Sequence, residues 1–260
     1  MTDLHPVLAG VLASGAAGLG TGLGAALIHA VRELRPWTED ALLSGAAGVM
    51  LAASFYSLLQ PGLEYGLAEY GSRVQSVAVV VAGMLAGGLA LYLIHQHAPH
   101  EHFHVGREGP DTAKFARLWL FIIAITLHNF PEGMAVGVGA ASGDVAAGTA
   151  LTLGIGIQNV PEGLAVATSL LAAGYGRHTA FSIAFATGLV EPLGGLLGAS
   201  MAWLAATLLP AVLAFAAGAM LYIISDEIIP ETHRAGHQNV ATASLMTGVA
   251  LMLILTVLVG

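Results

Sequence analysis

His128 and Glu132 stand four residues apart in HNFPEG, and Gln158 and Glu162 repeat that spacing in QNVPEG. On a helix, residues four apart project only about 40° from one another. Asn129 and Asn159 lie about 100° round from His128 and Gln158, with each Glu falling between its two neighbours. Imidazole nitrogen and carboxylate and carboxamide oxygen are donors for divalent transition metals. Facing helices that each present such a pair are how helical bundles build metal sites. A carboxylate has two oxygens and can bridge. One ion then fits on the His128–Gln158 side and a second on the Asn129–Asn159 side, with Glu132 and Glu162 shared.

The residues between the donors serve the same end. Pro131 and Pro161 have no backbone N–H, which frees the carbonyls of Leu127 and Ile157. Gly133 and Gly163 allow close helix approach. Proline and glycine kinks are common in membrane helices and need no metal to explain them. Two glutamates at mid-span are different, because an ionised residue there costs roughly 2.5–3.5 kcal/mol on insertion scales. A metal satisfies them; a hydrogen-bond network among the same groups is the alternative. A third embedded acid, Glu191, precedes Pro192 in GLVEPLGG, and it either joins the cluster or stands alone as a protonated structural residue. Met50 offers a thioether or simply packs.

The surrounding chain says where these groups lie. It has 260 residues, 56% hydrophobic and only 9% charged, where a soluble domain carries about 25% charged residues. Several apolar runs reach about 20 residues, enough to cross a bilayer as a helix. Alternating strands of barrel type are not visible. The opening MTDLHP lacks the positive n-region of a secretory signal. There is no cysteine, hence no disulfide and no thiolate ligand, and the net charge of −8 argues against nucleic acid.

The expected fold is an all-α polytopic membrane protein forming one transporter-like domain over 1–260. Its eight transmembrane helices fall near 5–31, 41–62, 74–96, 115–141, 146–173, 179–202, 208–231 and 240–259. Both polar motifs sit near the middle of their spans, and a short turn joins the two helices, so the motifs meet at the midplane. Seven of the eight Lys and Arg residues fall in odd-numbered connections, with only Arg73 in an even one. The positive-inside rule then puts the odd connections in the cytoplasm and both termini outside it. AAGVML in the second helix resembles AAGAML in the seventh. That suggests an inverted repeat of helices 1–3 and 6–8 around the central pair, an arrangement typical of transporters with midplane sites.

These residues resemble a known family. The H-N-x-P-E-G and Q-N-x-P-E-G motifs, eight spans, outward termini and a His-rich loop after the third helix are similar to the ZIP (Zrt-, Irt-like protein) divalent-metal transporters, bacterial branch, over essentially the whole chain. The resemblance implies uptake of Zn²⁺, and often Cd²⁺, Fe²⁺ or Mn²⁺, into the cytoplasm across the cell (inner) membrane. It implies a binuclear site: one metal on His128, Glu132, Gln158, Glu162 and Met50, the other on Asn129, Glu132, Asn159, Glu162 and Glu191. It also implies a homodimer, and helices 1, 4, 5 and 6 moving against 2, 3, 7 and 8. Asn159 departs from the pattern, since bacterial relatives carry Asp there, and a neutral ligand weakens the second position. His95 stands where such relatives can carry an acid.

Flanking groups suggest an entrance and a release path. Glu64 and Ser57 lie toward the outer end of the second helix. Asp226, Glu227, Glu231, His233 and His237 lie on the cytoplasmic side, with His95 and the His-rich loop 97–114. Neutral imidazole suits zinc; a plain solvated acid and a flexible polar linker are the bland readings.

The expected mechanism is alternating access, with release helped by protonation of Glu132, Glu162 or Glu191. No catalytic cofactor is expected. The rivals are a passive metal-selective channel and an intramembrane metalloenzyme. The enzyme would need a signature such as H-E-x-x-H with Glu as base, and this chain has H-N-x-P-E with no second His following.

Overall fold

The computed structural model describes residues 5–30, 35–97, 112–204, 206–233 and 236–259. They form α1 (Pro6–His29), α2 (Pro36–Tyr70), α3 (Arg73–His97), α4 (Thr112–Ala141), α5 (Val145–Ala172), α6 (Arg177–Leu204), α7 (Leu209–Thr232) and α8 (Gln238–Val259). Among the described residues there is no strand, and α1, α2, α3, α6, α7 and α8 are long and apolar enough to cross a membrane. The His-rich stretch 98–111 lies outside the described residues.

Local chemistry explains most boundaries. Pro6, Pro36 and Pro210 open α1, α2 and α7, where a missing N–H costs nothing. The Asp144 carboxylate accepts from the Ala147 N–H at 3.0 Å and caps α5. Gly71 ends α2 with φ +63°, a left-handed cap that glycine adopts without strain.

Three features differ from the sequence expectation. First, α2 runs from 36 to 70 rather than 41 to 62, because Pro61 does not stop it. A wide π-turn, Ser54–Leu59, precedes that proline and absorbs its missing donor. Second, α7 keeps close to its expected 208–231 but carries a π-turn at Ile224–Ile228 just before Pro230. Third, α6 is interrupted. It breaks at Leu189–Val190, where the Leu189 and Val190 N–H groups donate to Ala186 and Thr187 at 3.2 and 3.4 Å. Pro192 has no N–H to give the Gly188 carbonyl, so the first segment stops there and a second opens at Glu191 with the proline in its first turn.

The helices pair closely as α1 with α5, α4 with α6, α3 with α7 and α2 with α8. Glycines make the approach possible: a Cβ at Gly48 would strike the Leu245 carbonyl, and one at Gly248 the Gly45 carbonyl. The corresponding contacts in α7 and α3 are Gly218 on the Met84 carbonyl and Gly87 on the Phe215 carbonyl. At the centre, Gly24 and Gly163 meet the Val160 and Thr21 carbonyls, while Gly194 and Gly133 meet those of Phe130 and Glu191. Gly18 and Gly188 each face the other's carbonyl. One spacing relates Gly18 to Gly188, Gly24 to Gly194 and Gly48 to Gly218.

The main apolar core joins α2 and α7 to the central helices through Met50, Leu58, Met134, Leu151, Ile155 and Met220. Between α3, α4, α6 and α7 an apolar cleft of about 500 Å³ remains open, lined in part by Ile94, Phe130, Met134, Met201 and Phe215.

Candidate metal centre

The prolines at 131 and 161 lie inside unbroken helices, so α4 and α5 carry their motifs at mid-length. His128, Asn129 and Glu132 from α4, Gln158, Asn159 and Glu162 from α5, and Glu191 from α6 are all buried, at 4% relative exposure or less. A polar cluster buried this completely has to find its partners within the protein or in a bound ion.

Part of that demand is met by side chains. Gln158 Nε2 donates to Glu132 Oε1 at 2.8 Å, tying α5 to α4. Asn159 Nδ2 donates to Glu191 Oε1 at 2.7 Å and to the Ala17 carbonyl at 3.0 Å, tying α5 to α6 and α1. The rest is unmet. Glu132 Oε2, Glu162 Oε2, Glu191 Oε2, Gln158 Oε1, Asn159 Oδ1 and both amide atoms of Asn129 are buried with no hydrogen-bond partner. Most of these are oxygen lone pairs, the donor type that a divalent cation takes. Among the described residues, no three His, Asp or Glu side chains stand close enough together to hold an ion without the amides.

The other expected residues fall in several places. Met50 is fully buried in the apolar core, and its carbonyl accepts from Ser54 Oγ at 2.8 Å. Ser57 is buried inside the α2 π-turn. Glu64 is exposed and accepts from Gln60 Nε2 at 3.1 Å. Asp226 lies in the α7 π-turn and Glu231 at the end of the same helix, both half-buried. His233 Nδ1 lies 2.9 Å from the Ile229 carbonyl, and its Nε2 lies 3.2 Å from Thr242 Oγ1. His237 Nδ1 lies 2.7 Å from Asp40 Oδ2, joining the start of α2 to the residue before α8. The side chains of His95 and Glu227 lie outside the described residues.

The structure adds groups that the sequence did not single out. Asp40 reads as a loop charge in WTED, yet it holds His237. The Ala17 carbonyl and Thr21 of α1 border the cluster from a glycine-rich run with no motif of its own. Arg177 Nη1 donates to the Ile28 carbonyl at 2.6 Å and satisfies the end of α1.

Known proteins resemble this chain over most of its length. The family model described as ZIP Zinc transporter matches residues 94–256. The zinc transporter ZIPB of Bordetella bronchiseptica is 46% identical over 247 residues, 95% of this chain and 80% of that protein. The zinc transporter GufA of Myxococcus xanthus is 43% identical over 252 residues, 97% of this chain and 99% of that protein. The human zinc transporter ZIP11 is 32% identical, across 92% of this chain and 94% of that protein. With a matching family model and relatives this similar over nearly the full length, the chain belongs to the ZIP zinc transporter family.

Proposed function

We propose that this protein moves Zn²⁺ into the cytoplasm by alternating access, through a midplane site built from α4, α5 and the broken α6. The observation that carries this is the set of buried, unpaired oxygen atoms on Glu132, Glu162, Glu191, Gln158 and Asn159. In an apolar setting such atoms are costly unless a cation completes them. The names of the relatives, zinc transporters, support zinc as cargo. The mixed donor set also suits Cd²⁺, and Fe²⁺ or Mn²⁺ as weaker cargo.

The finer architecture is part of the same reading. All eight helices span the inner membrane, with both termini outside and the odd connections in the cytoplasm. The recurrence of glycine contacts in the two halves, and of a π-turn in both α2 and α7, supports the inverted repeat. The apolar cleft between α4 and α6 on one side and α3 and α7 on the other supports movement of α1, α4, α5 and α6 against the remaining helices. Two ions share Glu132 and Glu162, Met50 belongs to the first position and Glu191 to the second, and two copies of the chain assemble as a dimer. Asp226, Glu227, Glu231, His233 and His237, with His95, receive the ion on the cytoplasmic side, and Glu64 and Ser57 lie on the way in.

Zinc uptake into proteoliposomes tests the proposal, with wild type beside His128→Ala and Glu162→Ala. Saturable uptake that is lost in both variants is expected. Uptake that persists in both variants refutes the midplane site; uptake that rises linearly without saturation refutes alternating access in favour of a passive pore.

A further inference from the structure

Thr21 is fully buried in α1, and its hydroxyl has no hydrogen-bond partner. Among the described residues Ser44 is the other buried hydroxyl in that state, but no other buried threonine is. The hydroxyls of Thr126, Thr149, Thr152, Thr168, Thr247 and Thr256 each donate to the carbonyl four residues earlier. The corresponding carbonyl for Thr21 is that of Ala17, and it accepts from Asn159 Nδ2 instead. The same Asn159 nitrogen donates to Glu191. The polar cluster has therefore taken the partner that a helix normally offers this side chain.

The position of Thr21 mirrors that of Glu191. A Cβ at Gly188 would lie 2.9 Å from Thr21 Oγ1, and a Cβ at Gly18 would lie 3.3 Å from Glu191 Oε1. Gly163, beside Glu162, faces the Thr21 carbonyl; Gly133, beside Glu132, faces the Glu191 carbonyl. Thr21 follows Gly18 at the same interval as Glu191 follows Gly188. The two motifs exchange under the same relation, so Asn129 stands to Thr21 as Asn159 stands to Glu191. Both amide atoms of Asn129 are likewise buried and without a partner.

We propose that the Thr21 hydroxyl is a further contact of the transported ion, made through one bound water, on the Asn129–Asn159 side of the site and opposite Glu191. The inference rests on the transport reading above. A hydroxyl ends short of where a carboxylate would reach, and a water spans the difference. A neutral group here, in place of a second Glu191, lowers the negative charge of that position and with it the preference for hard cations.

The test is calorimetric titration of the full chain in detergent with Zn²⁺ alone, for wild type, Thr21→Val, Thr21→Ser and Glu191→Gln, with metal-free melting in parallel. Thr21→Val should weaken the binding step that Glu191→Gln weakens, by about fivefold, the size expected for one lost hydrogen bond. Thr21→Ser should bind within about twofold of wild type, and metal-free Thr21→Val should melt no lower than wild type. Wild-type affinity in Thr21→Val, an equal defect in Thr21→Ser, or a lower metal-free melting point in Thr21→Val overturns the proposal. If wild type binds zinc normally in those cases, only Thr21 has been misassigned. If wild type binds no zinc, the midplane reading fails, and Thr21 with it.

Discussion

Asn159 Nδ2 reaches Glu191 Oε1 at 2.7 Å and so joins the middle of α5 to the point where α6 breaks. The same nitrogen holds the Ala17 carbonyl of α1 at 3.0 Å. One amide thus fastens three helices at the centre of the polar cluster. An aspartate at this position has no proton to give and would face the Glu191 carboxylate and a carbonyl oxygen directly.

Asn159→Asp is therefore predicted to act in opposite directions with and without metal. The metal-free protein should melt lower, because two hydrogen bonds are lost and like charges face each other. Added zinc should raise the melting point by more than it does in wild type, since a ligand that binds only the folded state stabilises it by mass action. A metal-free melting point at or above that of wild type would contradict the tethering role of Asn159.

Glu132→Gln keeps the length of the side chain and a carbonyl oxygen to accept from Gln158, so the variant should fold. It replaces the proposed bridging carboxylate with a neutral amide. Losing even an outer partner of a metal ligand commonly costs about 10–100-fold in affinity. Zinc binding should therefore fall by at least about tenfold, measured by titration on monodisperse protein.

The glycine contacts give a steric prediction. Gly133→Ala puts a methyl group against the Glu191 carbonyl, where backbone cannot yield. The cost should be about 1–3 kcal/mol, in the range of overpacking. Gly15→Ala is the control: its Cβ would meet only Pro192 Cγ at 3.8 Å, an ordinary contact. Thermal melting of the two variants should separate them clearly.

The Asp40–His237 pair is partly exposed, with side-chain exposures of 14% and 31%. Such pairs contribute about 0–1 kcal/mol. His237→Gln should leave the melting point nearly unchanged. If His237 lies on the release path, zinc uptake at saturating external metal should slow while the half-saturating concentration changes little. Unchanged uptake would leave His237 as a tether between α2 and the start of α8.

The sequence by itself determined the class and the chemistry of this protein. Scarce charge and long apolar runs require helices in a bilayer, and donor residues four apart on a helix must share a face whatever the fold around them. His128, Glu132, Gln158 and Glu162 were legible for that reason, and the resemblance in these motifs was enough to anticipate the family. Asn159 was legible as a member of the polar cluster, but its hold on Ala17 was not, because a carbonyl of another helix carries no mark in sequence. The tertiary structure alone decided what depends on packing between helices. It broke α6 beside Glu191, put π-turns before Pro61 and Pro230, and set Asp40 against His237 from the far end of the chain. It also left Thr21 without its usual helical partner. Each of these outcomes turns on which backbone lies within a few ångströms of which side chain, and local spacing cannot encode that distance.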